Sequence, residues 1–201
     1  MSSSQSDYLR KNVPDQAEME DVLSNAECLL DRVAVTNIVD HLAQQVADVL
    51  CDDAPVILCV MNGALPLVGA FMARWTFLLE LDYVHVTRYG HETVGGDTQW
   101  LAYPRIDLKD RNVLIVDDIF DVGETLTEIV KWCRASGAQS VRSCVLVEKM
   151  HDRKVQSACR PDFIGVQLKD KYLFGFGMDY KGYFRNLNGI YAMRSLEKSD
   201  V

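Results

Sequence analysis

The stretch VLIVDDIFDVGETL, residues 113–126, constrains the fold of this chain more than any other. Four apolar residues run straight into the adjacent acids Asp117 and Asp118. Asp121, Gly123 and Thr125 follow, and apolar spacing resumes at Leu126, Ile129, Val130 and Cys133. Residues 113–116 read as a strand buried on both faces, since an unbroken apolar run suits a parallel sheet. Residues 125–136 read as an amphipathic helix that Gly137 stops. A strand, an acidic turn and a helix form the repeating unit of an α/β protein, whose ligands bind beyond the carboxyl ends of the strands. Residues 117–125 are therefore expected to face a ligand.

The rest of the chain fits the same architecture. TNIVDHLAQQVADVL, residues 36–50, places Ile38, Leu42, Val46 and Val49 on one helical face, with Asn37 and Asp40 as a weak capping pair. VILCV at 56–60 is a second buried strand. It ends in a tight turn at Asn62-Gly63, and Pro66 is suited to the first turn of the helix that follows. Further strands are expected at 80–88, 141–147, 162–166 and 172–176, and a tail of irregular structure or a short strand at 178–201. The glycine-bearing segment 89–100 reads as a loop or the tip of a long hairpin. The alternation predicts one α/β domain over 1–201, an open twisted parallel sheet with helices on both faces. Residues 1–20 are polar and expected to be loosely held.

Composition narrows the function. The 201 residues carry 29 acids against 21 basic residues, a formal net charge of -8. That balance disfavours general nucleic-acid binding, which depends on lysine and arginine neutralising phosphates. It suits a site holding a divalent cation. The six cysteines form no C-x-x-C pair, so neither a disulfide framework nor a zinc site is expected. No signal-peptide core opens the chain, and no run reaches the roughly 18 apolar residues of a membrane span. A cytoplasmic protein without membrane contact is expected.

The chemistry of 117–125 can be read residue by residue. The helix beginning near Thr125 offers unpaired N–H groups and the positive end of its dipole, a seat for a phosphate. Gly123 lets the backbone come close, and Thr125 adds a hydroxyl. Asp117 and Asp118 can accept hydrogen bonds from sugar hydroxyls or hold Mg²⁺ through water. Strand alternation points them to opposite sides, so they need not share one task. Asp121, inside the turn, can take or steer a proton. Together these residues describe a site for a phosphorylated sugar. Two other interpretations remain open on these residues alone: a solvated acidic loop with helix caps, and a phosphorylatable aspartate partnered by Lys149. Neither G-x-x-x-x-G-K-[ST] nor a dinucleotide G-x-G-x-x-G occurs at this turn.

The stretch closely resembles the signature of the type I phosphoribosyltransferases. Over about residues 30–195 the chain is similar to their purine-salvage branch, the hypoxanthine-guanine phosphoribosyltransferases. VMNG at 60–63, RYG at 88–90, LVEK at 146–149, PDFIG at 161–165, DKYLFGFGMDY at 170–180 and YFRNL at 183–187 match in order and spacing. The resemblance implies a Mg²⁺-dependent transfer of phosphoribose from phosphoribosyl pyrophosphate to N9 of hypoxanthine or guanine, giving IMP or GMP. It implies a small hood built from about 20–35 and 165–195, and a homodimer or homotetramer. The family's roles pass to matching positions only. Residues 121–125, with Val122, Gly123, Glu124 and Thr125, would hold the 5′-phosphate. Asp117 and Asp118 would bind the ribose diol and, with Asp179, the metal. Asp121 would accept a proton near purine N7, and Arg185 would bind pyrophosphate. Lys149 would donate to purine O6, Tyr172 would stack on the base, and Leu173 would meet its edge through the backbone. Asn62 and Gly63 belong to the pyrophosphate loop 61–63, often carrying a cis bond. Arg88 and Tyr89 begin a lid over 88–96.

Five positions depart from that pattern. Asn62 stands where lysine is common, Val122 replaces threonine, and Glu124 stands where lysine is frequent. Arg88 replaces a small hydroxyl residue, and Asp117 replaces glutamate. A charge missing at Asn62 could be partly supplied by Arg88. The alternatives are a non-catalytic nucleotide- or RNA-binding regulator on the same fold, and an enzyme preferring xanthine or guanine.

Overall fold

The structure, a computed structural model, describes residues 15–88, 98–155 and 158–193. Its main sheet has six strands. In chain order they are β2 (Val56–Met61), β3 (Glu80–Arg88), β4 (Thr98–Ala102), β5 (Asn112–Phe120), β6 (Ser140–Met150) and β7 (Phe163–Lys169). Their order across the sheet is β4-β3-β2-β5-β6-β7, all parallel except β4, which returns antiparallel along β3. β3 and β4 are thus the arms of a hairpin, and residues 98–100 of the segment expected as a loop belong to β4. Residues 89–97 lie outside the described residues, and with them Tyr89 and most of the expected lid.

Helix α2 (Arg32–Leu50) packs near β7, α3 (Leu65–Met72) near β2 and β5, and α4 (Glu124–Ala135) near β5 and β6. The step from β2 to β3 and the step from β5 to β6 run in opposite directions across the sheet. Right-handed crossovers therefore place α3 and α4 on opposite faces. Chain progression reverses between β2 and β5, which makes the crevice beyond their carboxyl ends the switch point where an open α/β sheet takes its ligand.

A second sheet, of order β1-β9-β8, is made by β1 (Ala26–Leu30), β8 (Leu173–Phe174) and β9 (Ile190–Met193). Helix α1 (Gln16–Asn25) precedes it. Residues 16–20, expected to be loose, are helical: Asp15 caps them by accepting from the N–H of Ala17, and Glu18 ties α1 to Tyr180 and Lys181.

Several boundaries differ from the sequence expectation. Helix α2 begins one turn earlier, because Asp31 accepts from the N–H of Ala34 and caps it there. Its buried stripe is Val35, Val39, Leu42, Val46 and Leu50, while Val49 is 44% exposed. The added turn brings Val35 into the buried stripe, whose centre lies slightly to one side of the anticipated face. β5 also continues through the acids to Phe120, since its pairing with β6 persists to Phe120–Glu148. Asp117 and Asp118 are strand residues, not turn residues.

Candidate active site

At the switch point β2, β5, the turn after β5 and the 175–185 segment enclose a cleft of about 510 Å³. Among the anticipated residues, Asn62, Gly63, Asp117, Asp118, Asp121, Val122, Gly123, Thr125, Asp179 and Arg185 line it. Glu124 does not, and neither do Lys149, Tyr172 or Leu173. Arg88 closes β3 opposite Thr98, and its side chain lies outside the described residues.

Two backbone features shape the floor. The Met61–Asn62 peptide bond is cis. Gly63 lies so close to Asp118 that an added Cβ would stand 2.1 Å from its Oδ2. Glycine there is a condition for a main-chain loop to rest against a carboxylate. The turn after β5 ends at Gly123, whose φ of +88° begins α4 from the left-handed region that disfavours other residues. Below it, Thr127 donates its hydroxyl to the Gly123 carbonyl at 2.6 Å and accepts from the Cys159 N–H at 3.0 Å. The N–H of Val155 donates to the Val122 carbonyl at 3.0 Å. The first N–H groups of α4 thus open toward the cleft on a turn fastened from behind.

The acids are placed differently. Asp117 and Asp118 are consecutive on a strand, yet both border the cleft and their carboxyl groups influence one another. Both therefore stand at the same cleft, whatever the alternation of the strand. The amide of Asp118 also donates to Asp117 Oδ1 at 2.9 Å. Burial, then the adjacent charge, pushes the Asp117 carboxyl well above its ordinary value. Burial likewise raises Asp118, against the pull of its bond to Asp117 and of Arg185. Arg185 bridges Asp179 Oδ1 at 2.5 Å and donates to the Gly177 carbonyl at 2.6 Å. Asp179 also accepts from the N–H of Gly182 at 2.7 Å. Carboxylate oxygens are the hard ligands magnesium takes. Asp117, Asp118 and Asp179 offer such oxygens, but the ligand atoms that gather at metal-ligand spacing among the described residues are those of Asp121, His151 and Asp170, and Asp179 is taken up by Arg185.

Asp121 is held by side chains from the end of β6 and just beyond. Lys149 reaches its Oδ2 at 3.4 Å and His151 Nε2 lies 2.5 Å from its Oδ1. Lys149 also faces Asp170 at 3.6 Å, and Arg153 pairs with Asp170 at 2.6 Å. Atoms of Asp121, His151 and Asp170 gather within 4.8 Å, a spacing compatible with a metal, but two side-chain cations already share those carboxylates. Lys149 is no solvated strand end: its side chain is 13% exposed.

A family model for the phosphoribosyl transferase domain matches residues 25–181. The chain belongs to the phosphoribosyltransferase family. It is 29% identical over 167 residues to a hypoxanthine-guanine phosphoribosyltransferase of Bacillus subtilis, covering 83% of this chain and 92% of that one. A counterpart from Aquifex aeolicus is 27% identical over 167 residues, covering 82% and 93%. A solved hypoxanthine-guanine-xanthine phosphoribosyltransferase superposes with a TM-score of 0.77 at 22% identity, over 86% of this chain and 99% of its own.

On this phosphoribosyltransferase fold the remaining positions fall at the small sheet. Tyr172 is 51% exposed, and its hydroxyl donates to the Asp179 carbonyl at 3.2 Å. Leu173 is buried on β8, which among the described residues is an edge strand of the small sheet. Sequence reasoning missed His151 and also Arg153, which lines the cleft. Both lie in KMHDRK, a segment without periodicity, and only the fold brings them to Asp121. It also missed Glu148, wholly buried and held by Lys154, Arg160 and Gln167. An acid inside the apolar run VLVEK was the signal available for that one.

Proposed function

We propose that the chain transfers phosphoribose from phosphoribosyl pyrophosphate to N9 of a 6-oxopurine, hypoxanthine or guanine, releasing pyrophosphate and giving IMP or GMP. The observation that carries this reading is one cleft at the β2–β5 switch point that joins the amide-rich start of α4 to Asp117, Asp118 and Asp121.

In this reading the turn Asp121–Thr125 seats the 5′-phosphate, using backbone N–H groups and the dipole of α4. Val122 offers no hydroxyl, so the seat rests on the amides and Thr125. Asp117 and Asp118 accept from the ribose hydroxyls. With Asp179 they would hold Mg²⁺, which when bound offsets the charge that grows on departing pyrophosphate. Asn62 and Gly63 border the pyrophosphate end. Arg185 stands beside them with a guanidinium suited to a phosphate. As N9 bonds to C1′, the bond from C1′ to pyrophosphate oxygen breaks and the N7 proton passes to Asp121. Lys149 donates to O6. An exocyclic amino group in that place would leave two donors facing each other unpaired, which disfavours adenine. Tyr172 covers the base and the open edge of β8 meets it through Leu173.

A spectrophotometric assay with adenine, guanine, hypoxanthine and xanthine, each with phosphoribosyl pyrophosphate and Mg²⁺, tests this. Turnover of hypoxanthine and guanine but not adenine is expected. Nucleotide binding without turnover of any base would overturn the catalytic reading. Turnover confined to xanthine or guanine would overturn the choice of base.

A further inference from the structure

We propose that His151 is a positioning residue for Asp121, holding one carboxylate oxygen so that the other stays free to take the purine proton; this rests on the reading of Asp121 given above. The ring is nearly enclosed, with its side chain 7% exposed. Both its nitrogens are engaged. The backbone N–H of Arg153 donates to Nδ1 at 3.1 Å, and Nε2 lies 2.5 Å from Asp121 Oδ1. A nitrogen that accepts an N–H carries no proton, so the proton of the neutral ring resides on Nε2 and is donated to Asp121.

Asp121 and Asp170 share Lys149 and Arg153 in one network. The two oxygens of Asp121 are therefore held by unlike donors. Lys149, long and flexible, approaches Oδ2 at 3.4 Å, a loose contact that a purine O6 can replace. His151, fixed by its own backbone bond, keeps Oδ1 whether or not a base is present. When Lys149 turns to the base, Oδ2 is released toward N7 while the carboxylate keeps its orientation. A carboxylate free to rotate would spend most of its time misaligned.

His151→Leu and His151→Gln test this, because glutamine can return an N–H donor near the place of Nε2 and leucine cannot. His151→Leu is expected to lower kcat with hypoxanthine about 10- to 100-fold, the effect of one hydrogen bond to a charged group. KM for phosphoribosyl pyrophosphate and the Kd for IMP are expected to stay within about twofold. His151→Gln is expected to recover most of kcat. An unchanged kcat in His151→Leu, or glutamine failing as badly as leucine, overturns the proposal. A second readout needs no turnover: ¹⁵N NMR of the imidazole in the ligand-free protein near neutral pH. The Nε2–H tautomer is expected, and an Nδ1–H ring or an imidazolium overturns the proposal. A wild-type chain that turned over no base would count against the proposed reaction, while the tautomer would still decide whether His151 holds Asp121.

Discussion

Asp121 shows what a single residue's surroundings decide. Its carboxylate is half-exposed and held by donors on both oxygens. A proton acceptor so placed is needed only as the sugar moves to the base. Asp121→Asn is therefore expected to lower kcat by about 10²- to 10⁴-fold, the range of general acid–base assistance, while the Kd for IMP changes little. Equal losses in both, from calorimetric titration and steady-state rates, would contradict the role. Asp117 behaves differently. Above the ordinary carboxyl value of 3.8 its raised pKa lets the native state keep a proton that the unfolded chain has lost. Stability of the ligand-free protein then falls as pH rises through that window, by at most about 1.4 kcal/mol per pH unit for each proton retained. Asp170 and Glu148, both held below their ordinary values, contribute stability that is lost only at lower pH. Asp117→Asn is expected to flatten the slope of stability against pH, read from urea unfolding, above the ordinary carboxyl range. Parallel slopes for variant and wild type would refute it. At this scale the sequence displayed the acids but not their partners. Strand alternation forecast divergence of Asp117 and Asp118, whereas both border the same cleft.

Among elements, the start of α4 is the part on which the phosphate seat rests. Its turn is fixed less by its own residues than by Thr127 beneath it, a buried side chain that bonds the Gly123 carbonyl and the Cys159 amide. Thr127→Val keeps shape and removes both bonds, leaving a buried N–H unpaired. A loss of about 1–3 kcal/mol in chemical denaturation is expected, with a higher KM for phosphoribosyl pyrophosphate. Unaltered stability and KM would show that the turn needs no fastening. The elements themselves were largely legible. β2, β3, β5 and β6, with α3 and α4, stand close to where apolar periodicity and turn residues put them. The start of α2 was not, since Asp31 outcompetes the later candidate caps. Nor was the full length of β5, because pairing with β6 carries the strand through charge that local composition would end.

At the scale of the whole molecule, the cleft draws its walls from distant parts of the chain, and this couples occupancy to stability. Binding that favours the native state raises stability by about 2.7 kcal/mol at a hundredfold excess over Kd. Mg²⁺ with phosphoribosyl pyrophosphate is expected to raise Tm by several degrees, and Mg²⁺ alone by much less, because the sugar's phosphates complete the metal's ligands. Equal shifts from the metal alone would place its main ligands elsewhere. This long-range assembly was the least legible feature. Motif order announced that 61–63, 117–125 and 170–187 belong together, but not that the cations after β6 would crowd Asp121.

One contact binds those distant pieces without any side chain. Gly177, φ +105°, presses on the loop after β2 so tightly that a Cβ would stand 2.0 Å from the carbonyl oxygen of Gly63, while Gly63 itself has no room toward Asp118. Two positions far apart in the chain thus share one vacancy the size of a methyl group. In a saturation map of tolerated replacements they would read as a pair of blanks, and no swap at one could be rescued by a swap at the other, since neither has anything left to give up.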